Sequence, residues 1–212
     1  AQVTEDTPWR AEHGRLATEA LVGWINSQQT AKPAKLVPEV NQVKWPDPPD
    51  VTEAQKPTDR QVITSSKQFV RGYPYSGWQR SFYDIATFDS YSAEFRLAET
   101  LDTTPGVKAW QRITNTVPLT IPYRHGANDR QYTPDFIVIT NDGVHWIVEG
   151  KADSEMTDPI VIAKRDAPKQ WVDAVNADTN VPTQWAYLLL SESVIKNAPT
   201  WAALKAAGQK HG

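Results

Sequence analysis

The feature that most constrains this fold is a pair of apolar runs, residues 131–140 and 144–151, separated by Asn141-Asp142-Gly143. An Asn-Asp-Gly segment between two such runs is typical of a β-hairpin, so both runs are predicted to be antiparallel strands. Apolar side chains occupy both alternating faces of each run, which predicts a sheet that is covered on both sides. Charged residues within these strands therefore need partners.

The length of the turn decides which charged residues meet across the hairpin. A three-residue loop with Gly143 in the left-handed conformation would pair Thr140 with Val144 and, counting outward, place Asp135 opposite Glu149. Opposed side chains have Cβ atoms about 4.5–5.5 Å apart. A two-residue loop would instead put the two carboxylates on opposite faces.

Three residues of this hairpin carry recognisable chemistry. Lys151 lies two positions beyond Glu149 and hence on the same strand face. Facing carboxylates such as Asp135 and Glu149 repel unless a proton or a cation lies between them. Carboxylate oxygens suit Mg²⁺ or Mn²⁺, which activate water and shield phosphoryl charge. The alternative is that all three are solvated or salt-bridged surface residues, but the isoleucines sharing their face favour a covered site.

The rest of the chain is organised around this hairpin. An amphipathic helix is predicted from Pro8 to about Gln29, followed by a proline-rich strap over 32–60 and an aromatic-rich segment over 69–91 that packs on the next domain. Ser90 is predicted to cap a helix that contains Phe95, Leu97, Ala98 and Leu101. The later elements are strands 107–114, 117–123, 131–140 and 144–151, helix 158–177, strand 184–190 and helix 199–207.

This order predicts an α/β fold with a mixed central β-sheet flanked by helices. We expect a docking and linker region over 1–87 and the compact domain over 88–212.

Several short segments between about 88 and 196 form a recognisable set. They are Ser92-Ala-Glu94-Phe with Leu101-Asp102, Val117-Pro-Leu-Thr-Ile-Pro-Tyr123, Tyr132-Thr-Pro-Asp-Phe136, Ile147-Val-Glu-Gly-Lys151, Ala163-Lys164, Trp171, Val175-Asn176 and Trp185-Ala-Tyr-Leu. In these segments the sequence resembles the PD-(D/E)xK nuclease superfamily and, within it, the C-terminal nuclease domain of type III restriction subunits and related helicase–nuclease proteins.

The resemblance implies a restriction-endonuclease-like core and a divalent metal, Mg²⁺ or Mn²⁺. Its ligands would be Asp135, Glu149, the Gly150 carbonyl and a helix carboxylate, Glu94, with Glu99 as a rival. The chain has no cysteine, which excludes a zinc–cysteine site.

The resemblance also implies roles for two lysines. Lys151 would act with Asp135 and Glu149 in catalysis, and Lys164 would contact DNA phosphate, although a helix lysine is commonly just solvated. His125 and His145 have no metal-ligand spacing and are interpreted as packing residues.

The expected function is that of an Mg²⁺-dependent endonuclease acting on DNA in a restriction or phage-defence protein of the bacterial cytoplasm. A net charge of −3 gives the chain little means of holding DNA alone, so a helicase or translocase partner is expected. The opening alanine suggests a piece of a longer protein, and no secretory start is expected. The alternative is a non-catalytic module that uses this fold for docking or DNA binding.

Overall fold

A computed structural model describes residues 18–21, 24, 45, 47, 56–114, 117, 119–125, 128–156 and 159–208. The chain divides into two compact units, Ala1–Val37 and Pro38–Gly212. In the first, residues 18–21 and 24 are helical, as the pattern predicts. The remainder of the predicted N-terminal helix and most of the proline-rich strap lie outside the described residues.

The second unit contains nine described strands and four α-helices. The strands are β1 (Thr58–Asp59), β2 (Pro74–Ser76), β3 (Ala86–Thr87), β4 (Val107–Arg112), β5 (Ile121–His125), β6 (Asn128–Tyr132), β7 (Phe136–Thr140), β8 (His145–Lys151) and β9 (Trp185–Ser191). The helices are α1 (Arg96–Thr103), which follows a π-helical turn (Tyr91–Phe95), α2 (Pro159–Ala177), α3 (Glu192–Asn197) and α4 (Trp201–Gly208). Within these described residues, no helix has the length and apolar character needed to cross a membrane.

The central sheet has the order β4-β7-β8-β9. Its first two pairings are antiparallel, and the β8–β9 pairing is parallel. The fold is therefore a mixed sheet flanked by helices, which confirms the predicted fold class at that level. Strands β1–β3 form a separate small sheet, and β5 with β6 forms a two-stranded hairpin.

The β7–β8 hairpin has the register that the three-residue loop predicts. Ile137 pairs with Ile147, and Ile139 pairs with His145. The Thr140 N–H donates to the Val144 carbonyl at 3.0 Å. Gly143 has φ +84°, a left-handed conformation that favours glycine. The same register continues to Asp135 and Glu149.

The prediction of one continuous strand over 131–140 is wrong. The chain forms β6 up to Tyr132 and begins β7 only at Phe136. Pro134 lies in the break, and its missing N–H cannot contribute to a ladder. The neighbouring strand, predicted over 117–123, is observed at Ile121–His125, where β5 pairs with β6 outside the central sheet.

The two faces of the central sheet bury different helices. One face packs against α1, α3 and α4 through Phe136, Val138, Val148 and Leu190. On the other face, Ile147 contacts α2 and the β5–β6 hairpin. Helix α3 was not predicted; Ser191 caps it by accepting a hydrogen bond from the Val194 N–H. Both sheet faces are covered, as the apolar side chains on both faces of β7 and β8 predict.

The segment before residue 88 belongs to the main core. Tyr75, Trp78 and Phe88 pack in the same cluster as Phe95 and Trp110, so the aromatic-rich segment packs on the following elements as predicted.

One buried carboxylate ties that segment to α1. Asp102 accepts hydrogen bonds from Arg60 Nη2 at 2.7 Å, from the backbone N–H groups of Gln79 and Arg80, and from Trp110 Nε1. The Asp102 side chain is fully buried, and a buried charge of this kind is tolerated because it is paired and hydrogen-bonded.

Candidate functional site

Asp135 lies at the point where the chain enters the central sheet. It precedes the first residue of β7 and stands opposite Glu149 in the hairpin register. Its Oδ2 atom accepts a hydrogen bond from the Gly150 N–H at 3.0 Å. Only 14% of its side chain is exposed, so it faces other protein groups rather than bulk water.

Strand β8 carries the second carboxylate and its cation. Lys151 Nζ lies 2.8 Å from Glu149 Oε1, and the Tyr187 hydroxyl donates to Glu149 Oε2 at 3.2 Å. Burial raises the pKa of Glu149, and Asp135 raises it further, while Lys151 opposes the shift. For Lys151, burial disfavours the charged form, but Glu149 and Asp135 outweigh it and raise its pKa. Both carboxylates therefore favour the ammonium form of Lys151.

Glu94 reaches the site from the π-helical turn before α1. Ser90 caps this turn by accepting a hydrogen bond from the Ala93 N–H, which confirms the predicted cap. Glu94 Oε2 accepts from the Asp89 N–H at 2.7 Å. Burial raises the pKa of Glu94 and Asp135 adds to the shift, whereas Arg112 lowers it.

The last residue of β4, Arg112, connects Glu94 with Asp135. Its Nη2 lies 2.8 Å from Glu94 Oε1, and its Nη1 lies 3.9 Å from Asp135 Oδ1. Nη1 also donates to the Asp135 carbonyl at 3.0 Å and to the Ile113 carbonyl. A third carboxylate, Asp89, lies 3.6 Å from Nη2 but is itself largely exposed.

Gly150 allows the Glu94 turn to approach β8 closely. A Cβ atom added at Gly150 would lie 2.6 Å from the Ala93 carbonyl oxygen, closer than real Cβ contacts. Only glycine fits here without moving the backbone that carries Glu94. The middle residue of Glu149-Gly150-Lys151 thus has a packing role that depends on the absence of a side chain.

The charges at this end of the sheet are almost balanced. Three largely buried carboxylates, Glu94, Asp135 and Glu149, face two cations, Arg112 and Lys151. Among these buried groups one negative charge is in excess, and the more exposed Asp89 beside Arg112 adds another. Oxygen donors of this type fit Mg²⁺ or Mn²⁺.

The carboxylates of this site belong to two separate ion pairs instead of meeting at one point. Asp135 lies between the Glu94–Arg112 pair and the Glu149–Lys151 pair. It is 3.9 Å from Arg112, and its charge raises the pKa of Glu94, Glu149 and Lys151. In the part of the chain that the structure describes, no three acidic or histidine side chains converge as a metal-ligand group. A polar cleft of about 380 Å³ adjoins the Glu94 side, and Asp89, Glu94, Arg112 and Asp135 line it.

Comparison with protein-family models, curated proteins and solved structures finds no match to this chain. A functional proposal therefore depends on the geometry of this site and on the sequence resemblance.

Other residues singled out in the sequence lie elsewhere. Glu99 is one turn further along α1, 3.7 Å from Arg96, and burial raises its pKa. Lys164 lies within α2, but its side chain is outside the described part of the structure, as is that of His125. His145 packs its ring 5.0 Å from that of Trp185, at the opposite end of β8, which confirms its interpretation as a packing residue.

Two residues of the site were missed by sequence reasoning. Arg112 is placed by the β4–β7 pairing, in which it lies opposite Phe136. Tyr187 is placed by the parallel β8–β9 pairing, opposite Ile147. The sequence predicts both strands, but neither is followed by a turn signal that would fix its register against its partner.

Proposed function

We propose that this chain is a divalent-metal-dependent endonuclease domain that hydrolyses DNA phosphodiester bonds. The observation that carries the proposal is the position of Asp135 between two carboxylate–cation pairs, Glu94 with Arg112 and Glu149 with Lys151. The proposal is supported by the order of elements, in which a helix carrying an acidic residue precedes the Asp, Glu and Lys strands. This is the arrangement implied by the resemblance to a restriction-endonuclease-like core.

Lys151 is proposed to stabilise negative charge rather than to remove a proton. Its raised pKa keeps the ammonium group charged. A protonated lysine beside a phosphoryl oxygen stabilises the charge that develops during hydrolysis. Tyr187 and Lys151 together orient Glu149, since each contacts a different oxygen of that carboxylate.

The residues proposed to hold the metal are Glu94, Asp135, Glu149 and the Gly150 carbonyl. Their oxygen donors suit Mg²⁺ or Mn²⁺, and such an ion supplies Lewis-acid chemistry to phosphodiester hydrolysis when it is bound. The excess negative charge of the site is the physical reason for a cation to bind there.

DNA delivery is proposed to come from a helicase or translocase in the same polypeptide or complex. The net charge of −3 gives the chain weak intrinsic attraction for phosphate, and Lys164 is a proposed single contact. Tethering to a motor would replace intrinsic affinity with a high effective concentration.

A plasmid-nicking assay with and without Mg²⁺ tests this function. Glu94→Ala is expected to abolish nicking, whereas Glu99→Ala, a matched change one turn further along α1, is expected to leave it intact. Loss of nicking in both variants, or in neither, would contradict the site assignment. Wild-type protein that binds Mn²⁺ but never cuts DNA would favour the non-catalytic module instead.

A further inference from the structure

Arg112 is a permanent cation placed where the candidate metal ligands meet. Guanidinium groups do not lose their proton in proteins, and this side chain is only 9% exposed. Its Nη2 contacts Glu94 at 2.8 Å, while its Nη1 faces Asp135 at 3.9 Å. Two carboxylates proposed to share a metal are therefore already linked by a charge of the protein itself.

The fit of Arg112 in this position is incomplete. Within the described structure, its buried Nε–H has no hydrogen-bond partner. A buried donor without a partner is unfavourable, and such exceptions occur at functional sites. The ion pairs with Glu94 and Asp135, together with carbonyl contacts, hold the side chain despite that cost.

We propose that Arg112 competes with the divalent cation for Glu94, so that Glu94 must exchange its guanidinium partner for the metal. This inference rests on the proposed function, because it concerns the ligands of the same metal. Arg112 is on this view a positioning residue, which keeps Glu94 within the site and sets a weak metal affinity. If Arg112 were instead only a scaffold that holds the ligands in place, its removal would weaken metal binding.

Mn²⁺ binding to the full chain, measured by calorimetry and by electron paramagnetic resonance, separates the two roles. Arg112→Gln removes the competing charge but keeps a hydrogen-bond donor. We expect it to bind Mn²⁺ at least about tenfold more tightly than wild type, because Glu94 no longer has to give up its charge-assisted contact with Arg112 when it binds the metal. Unchanged or weaker binding in the folded variant would overturn the inference.

A double-mutant cycle tests whether the effect acts through Glu94. In a Glu94→Gln background, Arg112→Gln is expected to give much less gain in Mn²⁺ affinity, because the shared carboxylate is gone. An equal gain in both backgrounds would show that Arg112 does not compete for Glu94. If Arg112→Gln does not fold, Arg112→Met serves instead, because it also removes the competing charge and keeps a long, unbranched side chain. We then expect binding that is again tighter by about tenfold, and unchanged or weaker binding by the folded variant overturns the inference.

The same titrations distinguish this inference from the proposed function. If neither wild type nor any folded variant binds Mn²⁺, the proposed metal-dependent function fails and the inference fails with it. If wild type binds Mn²⁺ and cuts DNA while Arg112→Gln binds more weakly, only the role of Arg112 is wrong.

Discussion

Gly150→Ala offers a sharp test of how the site is assembled, because it adds a single methyl group at a defined contact. The new Cβ would lie 2.6 Å from the Ala93 carbonyl oxygen and 3.3 Å from the Ala93 Cβ. Ordinary contact begins at 3.4 Å, so the π-helical turn and β8 must separate by about 0.8 Å. The obstacle is backbone, so no side-chain rotation can relieve it.

The expected result is a moderate loss of stability with a larger loss of activity. Overpacking of this kind costs about 1–3 kcal/mol in the free energy of unfolding. A shift of about 0.8 Å would stretch the 2.8 Å contact between Glu94 and Arg112 beyond hydrogen-bonding range. Misplacement by about 1 Å can reduce catalytic rate by about 100-fold, so we expect nicking to fall by one to two orders of magnitude.

Urea denaturation and plasmid nicking measure the two losses, with Gly143→Ala as the matched control. Gly143 has φ +84° and open space around it, so alanine there strains the backbone by about 1–2 kcal/mol without touching the site. We expect Gly143→Ala to lose similar stability but to keep wild-type nicking. Gly150→Ala protein with wild-type nicking and unchanged stability would refute the proposed close contact.

Four further outcomes are expected. Glu149→Ala and Lys151→Ala should each abolish nicking while unfolding stays cooperative by circular dichroism; wild-type cutting by either variant would contradict the site. Cleavage should require Mg²⁺ or Mn²⁺ and be weak with Ca²⁺, whose looser coordination positions groups poorly, and full cleavage in EDTA would exclude the metal mechanism. Asp102→Ala should lower the free energy of unfolding by about 3–5 kcal/mol in urea, because it leaves Arg60 buried and unpaired; a loss under about 1 kcal/mol would show that the pair contributes little. Fluorescence anisotropy at physiological salt should show weak DNA binding by the isolated chain, and tight sequence-specific binding would contradict tethering to a motor.

The sequence predicts best where local chemistry determines the backbone. Gly143 favours a left-handed residue, as the three-residue loop requires, and that loop fixes the whole β7–β8 register and brings Asp135 opposite Glu149. Ser90 is equally informative, because an N-cap requires only contacts within one turn.

Pairings between distant segments could not be predicted in the same way. The β4–β7 register shifts at a bulge between Val107 and Ala109, so counting along the strand does not lead to Arg112. The parallel β8–β9 pair is joined through α2 with no tight turn, which leaves Tyr187 without a countable position. Pro134, by contrast, is a local signal: a proline cannot donate to a strand ladder, and the predicted strand 131–140 is interrupted there.

The buried Asp102 carboxylate has a consequence for how such a domain can be exchanged between proteins. Of the four residues that donate hydrogen bonds to it in the described structure, Arg60, Gln79 and Arg80 all precede residue 88. A gene fragment that begins at codon 88 would encode a protein in which only Trp110 of these donors remains and in which the core that Tyr75 and Trp78 cover is exposed. Recombination or engineering that transplants this domain onto another protein therefore has to cut upstream of Arg60, so that the transferred piece includes the small β1–β3 sheet.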